Sequence, residues 1–205
     1  SRERPNPGMT RTRPPFDAVT MCLHWLTLAL IASLFTTTWL HESAADGATA
    51  AALLQTHRSL GLVVWVLTLA RLVWRHRGAC LPPFPTHMTA AQKRTAKASE
   101  YLLYALLLVQ PLTGMAQTIL RGRAFDMLLV HVGPITERNA SQARSFHDLH
   151  ELGGATLLVV IGLHASAALA HHFYWKDDVL RSMLPDWLLP SERQRDAGAR
   201  GLHEQ

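Results

Sequence analysis

Four uncharged apolar stretches constrain this chain more than any other feature. From Ala18 to Leu40 the only ionisable groups are Cys22 and His24. Residues 61–70, 101–120 and 152–163 carry no charge at all. With their flanks, all four approach the twenty-odd residues a helix needs to cross a bilayer. A soluble fold can hide one such run in its core, but not four in 205 residues. The expected architecture is therefore all-α, an integral membrane four-helix bundle. Mean hydropathy is only +0.06 because strongly basic connectors dilute the apolar blocks.

The formal charge of +5 does not point to nucleic acid. Lys and Arg gather where the apolar runs end, the signature of membrane orientation. The N-terminus, the connector with Arg71, Arg75, Arg77, Lys93, Arg94 and Lys97, and the C-terminal tail are all basic. They are expected in the cytoplasm. The loop with Glu42 and Asp46 is expected outside, together with a connector at about 121–145 whose four arginines weaken the bias without reversing it. The basic N-terminus before an apolar run resembles a signal peptide. That run is too long for one and contains His24, so it reads as a retained first span. Residues 1–16 read as a disordered basic cytoplasmic N-terminus, 17–185 as the membrane domain, and 186–205 as a polar cytoplasmic tail. The helices are expected over about 17–40, 54–75, 96–120 and 146–175, with a kink at Pro111 relieved near Gly114. A short surface helix is expected near Phe125, Leu128 and Leu129, ending at Gly133-Pro134.

Histidine is costly in hydrocarbon and rare there without a partner. The last span carries His150, His164 and His171, at spacings of fourteen and seven residues. Fourteen residues fall about 40° short of four turns, so His150 and His164 share a face roughly 21 Å apart. Taking 1.5 Å per residue from the helix midpoints, His24 lies about 7 Å and His164 about 5 Å to the cytoplasmic side. His57 and His150 lie about 12 Å and 16 Å to the other side. The expected pairs are His24 with His164 and His57 with His150. Two depth-matched imidazole couples suit two stacked haem irons. Gly61, Gly154 and Ala168, each four residues after a paired histidine, offer small surfaces beside a flat porphyrin. A histidine-bound Zn or Cu site, a transporter using histidine proton relays, and purely structural histidines remain rivals at this point. No C-x-x-C-H is present, which excludes c-type attachment. Arg71 shares the face of His57 four turns deeper, where it either pairs with a haem propionate or snorkels to the interface. No nucleophile–base pair, phosphate loop or acid pair supports hydrolytic or phosphoryl chemistry.

The segments CLHWL (22–26), QTHRSLG (55–61) with Arg71, LYALLLVQPLTG (103–114) and above all HELGGATLLVVIGLHASAALAHHFYWKDD (150–178) resemble the bacterial cytochrome b561 family. The resemblance covers about residues 17–185. It implies a bundle holding two haem b groups in the bacterial inner membrane. His24 and His164 would ligate the inner haem and His57 and His150 the outer, with Arg71 on a propionate. His171, Trp175 and Lys176 match the family's cytoplasmic-end signature, where contact with ubiquinone is expected. Glu100 departs from the pattern, since relatives often carry His there. Members resembling this chain oxidise superoxide at the outer face and reduce ubiquinone. Arg121, Arg123, Arg138 and Arg144 read either as a rim steering a small anion or as solvated loop charges. The alternative donor is a protein, with the chain acting as a cytochrome subunit of a dehydrogenase or hydrogenase.

Overall fold

The computed structural model describes residues 15–184. It holds four long helices: α1 (Ala18–Glu42), α2 (Gly47–Arg77), α3 (Ala90–Leu120) and α4 (Ala140–Phe173). At 1.5 Å per residue each runs about 38–51 Å, beyond the ~30 Å of a hydrocarbon core. All four are apolar enough to cross a membrane. Much of their large apolar surface faces outward, including Trp39, Val66, Val109, Leu112, Val159 and Leu163. Such a surface needs lipid around it.

Helices α2, α3 and α4 begin six or seven residues earlier than the apolar runs suggest, because polar caps set the starts. Asp46 accepts from the Thr49 backbone N–H, and Asn139 from that of Gln142. Thr89 and Gln92 form a reciprocal capping box. Pro111 is accommodated inside α3. The expected disordered N-terminus lies almost wholly outside the described residues, and the C-terminal tail entirely so.

The connector after α3 corrects an expectation. Phe125, Leu128 and Leu129 fit helical spacing, yet residues 125–132 form a hairpin. Strand β1 (Phe125–Met127) pairs antiparallel with β2 (Val130–Val132), Phe125 opposite Val132. Eight residues are too few to repay helix nucleation. The turn is instead bound to α2, where Ser59 Oγ accepts from the Leu128 N–H at 2.7 Å. Leu128 adopts the left-handed conformation that the tight turn demands, with φ +54°.

One apolar layer sits at mid-bundle, with one residue from each helix: Ile31, Val64, Leu107 and Leu157. Helix α1 packs along α2, α2 along α3, and α3 along α4, while α4 stands off from α1 and α2. The chain order places residues 15–17, 78–89 and 174–184 together at what we call the terminal end. The Phe16 N–H donates to Ser182 O, and Asp17 Oδ2 accepts from the Cys80 N–H. The short 43–46 loop and the hairpin connector form the loop end.

Candidate functional site

The mid-bundle layer is the reference for the histidines. Seven residues are close to two helical turns, so steps of seven from each layer residue reach the same face about 10 Å away. Towards the loop end these steps reach Thr38, His57, Gly114 and His150. Towards the terminal end they reach His24, Arg71, Glu100 and His164. Each pair expected from the sequence therefore occupies one layer.

In the loop-end layer the structure brings His57 and His150 together. Their ring centroids lie 6.1 Å apart, with planes at 85°. A single metal ion between two imidazole nitrogens, at about 2.0 Å from each, separates ring centres by roughly 6 Å. Both Nδ1 atoms are already engaged. His57 Nδ1–H donates to Leu34 O at 3.2 Å, beside the Thr37 and Thr38 hydroxyls. His150 Nδ1–H donates to Gln110 O at 3.0 Å, beside the Thr113 hydroxyl. A carbonyl can only accept, so these bonds fix the proton on Nδ1 and leave the Nε2 lone pair available.

Gly114 seats the second ring. A Cβ there would lie 2.9 Å from His150 Cε1, closer than carbon atoms tolerate. The sequence marks Gly114 only as relief for Pro111; its service to His150 depends on the packing of α3 against α4. Gln110 is a second such residue, with Nε2–H donating to His150 O at 2.9 Å. Gly153 leaves room for that amide, since a Cβ there would come within 2.4 Å of Gln110 Oε1. A Cβ on Gly154 would lie 3.3 Å from Gln110 Nε2, whereas a Cβ on Gly61 would meet open space. Of the two expected porphyrin-facing glycines, Gly61 borders free volume and Gly154 borders α3.

The terminal-end layer is built differently. Arg71 Nη2 donates to His24 Nδ1 at 3.1 Å, and the guanidinium lies 5.4 Å from the Tyr104 ring centre. His164 lies within electrostatic range of His24. His164 has no hydrogen-bond partner among the described residues and is exposed in the protein alone. Glu100 forms a two-pronged ion pair with Arg75, one arm at 3.1 Å. Glu100 thus balances a second arginine at the layer's edge.

Arg58 Nε and Trp65 Nε1, both on α2, are buried without a hydrogen-bond partner among the described residues. Buried donors of this kind are costly unless something accepts from them. Matched imidazoles, the stand-off of α4 and unmatched donors on α2 together fit a flat, iron-bearing group that brings its own carboxylates. The site residues fit haem.

At the terminal end His171 is buried, and its Nδ1–H donates to Asp177 Oδ2 at 2.6 Å. The Trp175 ring lies 4.7 Å from it. Lys176 adopts a left-handed conformation, φ +53°, and the chain turns there so that the Asp177 N–H reaches His171 O. At the loop end Arg121, Arg123, Arg138, Arg144 and His147 line an open cavity of about 520 Å³.

Known proteins match most of the chain. A family model described as prokaryotic cytochrome b561 matches residues 15–186. The chain is 31% identical to cytochrome b561 homolog 1 of Escherichia coli (strain K12) over 174 residues, 83% of this chain and 97% of that protein. It is 31% identical over 134 residues to a protein of Yersinia pestis named probable superoxide oxidase CybB, covering 63% of this chain and 73% of that one. Cytochrome b561 homolog 2 of E. coli (strain K12) is 24% identical over 189 residues, 86% of this chain and 95% of that protein.

Proposed function

This chain belongs to the prokaryotic cytochrome b561 family of multi-pass inner-membrane electron carriers that bind haem b, and we propose that it moves single electrons across the bilayer between two haem b groups. The loop-end group is held by His57 and His150, the terminal-end group by His24 and His164. Haem b between two neutral imidazoles supplies a one-electron couple with no open coordination position.

The observation that carries this reading is the His57–His150 pair, with rings 6.1 Å apart and both Nδ1 protons on the protein. The Leu34 and Gln110 carbonyls orient these rings and raise their basicity. Gly114 keeps the His150 ring in place. At the other layer Arg71, on turning from His24 Nδ1 to a propionate, would let the proton sit on Nδ1 and leave Nε2 free for iron.

In this proposal the terminal end faces the cytoplasm and the loop end the periplasm. The basic residues Arg75, Arg77, Lys93 and Arg94 at the terminal end support that orientation. The electron donor is a small anion, superoxide, and the acceptor is ubiquinone. The arginine-lined cavity favours an anionic donor because it concentrates negative charge near the loop-end layer. The name carried by the Yersinia relative agrees with that choice. At the terminal end, His171 keeps Nδ1 on Asp177 and offers Nε2 to a quinone oxygen, while Trp175 and Lys176 sit at headgroup depth.

The test is a reduced-minus-oxidised spectrum with a haem count on the purified protein. Two haems are expected, and His57→Ala and His164→Ala should each remove about one. A protein that binds none, or only one, overturns the reading. Replacing His171 should slow quinone reduction with the haem spectrum intact. Loss of haem there would make His171 structural.

A further inference from the structure

Outside both histidine layers, three ligating side chains from separate parts of the chain meet at the terminal end. His171 lies in the last turn of α4, Asp177 just beyond it, and His87 on the irregular connector between α2 and α3. His171 Nδ1 stands 2.6 Å from Asp177 Oδ2, and His87 Nε2 stands 3.1 Å from the same oxygen. The three donor atoms all lie within 4.8 Å of one another.

The Asp177 side chain is only 8% exposed, and that of His171 10%. A buried carboxylate needs a compensating charge. No Lys or Arg among the described residues pairs with Asp177; the side chains against it are the two imidazoles. Its other oxygen accepts from the Val179 N–H at 3.1 Å, which leaves Oδ2 as the shared atom. The cluster also sits at the C-terminal end of a 34-residue helix, where the macrodipole favours a cation.

We propose that His87, His171 and Asp177 bind one divalent transition-metal ion of the zinc class, tying the 78–89 connector to the end of α4. Two nitrogens and one carboxylate oxygen suit Zn²⁺ rather than Mg²⁺ or Ca²⁺. Donors on one tetrahedral zinc stand about 3.3 Å apart, at roughly 2.0 Å from the metal. The His87–Asp177 separation is already close to that. The shorter His171–Asp177 separation opens once the shared proton leaves. His87, half-exposed on its connector, has room to adjust. The site uses none of the four bundle histidines, but it shares His171 and Asp177 with the proposed quinone end, so the test is read on His87, which that reading does not use.

Calorimetric titration of tag-free, haem-loaded protein with Zn²⁺ tests it. One saturable equivalent is expected, with the haem spectrum unchanged and a rise in the thermal midpoint. Cu²⁺ in place of Zn²⁺ should give an electron paramagnetic resonance signal split by two nitrogens. His87→Ala should weaken binding more than about 100-fold, beyond the 10–100-fold typical of outer-shell changes. It should also abolish the thermal shift. His131→Ala, at the loop end, should change neither. No saturable zinc in the wild-type protein, or binding in His87→Ala equal to wild type, overturns the proposal. His87 lies in no helix, so that variant decides the matter even if Asp177→Asn fails to fold.

Discussion

The loop-end layer surrounds its histidine pair with a threonine and a glycine, and the terminal-end layer surrounds its pair with an arginine and a glutamate. Both lie seven residues from the same apolar layer. At the loop end, neutral main-chain carbonyls hold both rings, which face each other at 6.1 Å. At the terminal end a guanidinium holds one ring, and the other has no partner among the described residues. The loop-end site is thus preorganised by packing and hydrogen bonds. The terminal-end site is organised by charge, with Arg71 and the Arg75–Glu100 pair setting its field. If both layers hold haem as proposed, the two sites differ in what perturbs them: shape for the first, electrostatics for the second.

The most damaging test of this contrast is Gly114→Ala. Its Cβ would meet the His150 ring at 2.9 Å, so most of the loop-end haem should be lost from the pyridine haemochrome count. Gly162→Ala, on the same helix as His150 but with open space at its Cβ, should keep full haem content. Equal losses in the two variants would remove the claim that shape governs the loop end.

Arg71→Leu probes the other layer. In the proposed two-haem arrangement, removing a positive charge beside His24 disfavours the reduced state of the nearer haem. A redox titration should show one potential falling by about one decade of a one-electron couple, roughly 60 mV, with the haem count unchanged. Thr38→Val, at the matching level of the loop end, should move its potential far less. A larger shift from Thr38→Val would reverse the assignment of electrostatic control.

Glu100→Gln should cost about 1–2 kcal/mol, between an exposed pair and a buried one, because its partner Arg75 is only partly exposed. The measurement is thermal unfolding in detergent, and an unchanged midpoint would make the pair ornamental.

The smallest effect concerns Asp17. Its limited burial pushes the carboxyl up, but hydrogen bonds from the Thr20 side chain and backbone, Trp74 and the Cys80 backbone pull it further down, to about 2 from 3.8. The folded value is the lower one. The contribution is therefore complete above 3.8 and disappears as pH falls through about 2. The thermal-midpoint gap between wild type and Asp17→Asn should be present at neutral pH and close over that window. A gap that persists at lower pH would contradict the linkage.

The layering of the histidines is legible in the amino-acid sequence. His24, His57, His150 and His164 stand out as ionisable groups in apolar runs, and depth arithmetic sorts them into the two layers observed. Arg71 is legible by its spacing from His57. Gly114 and Gln110 are not, because their roles depend on the α3–α4 packing that brings them against His150. The partner of Glu100 is hidden similarly, since Arg75 lies 25 residues earlier. Periodicity misreads the 125–132 hairpin, because a pattern over eight residues cannot outweigh a tertiary hydrogen bond to Ser59.

Local chemistry along the chain decided the number of spans, their polar caps and the heights of the histidines, since hydrophobic length and rise per residue need no knowledge of neighbours. Only the assembled bundle decided how each helix is turned about its axis and which helix lies beside it. Those rotations give His57 and His150 carbonyl partners and give His24 an arginine. A hydrogen bond is directional and short, so a few tens of degrees of helix rotation change its partner while leaving every residue at the same depth.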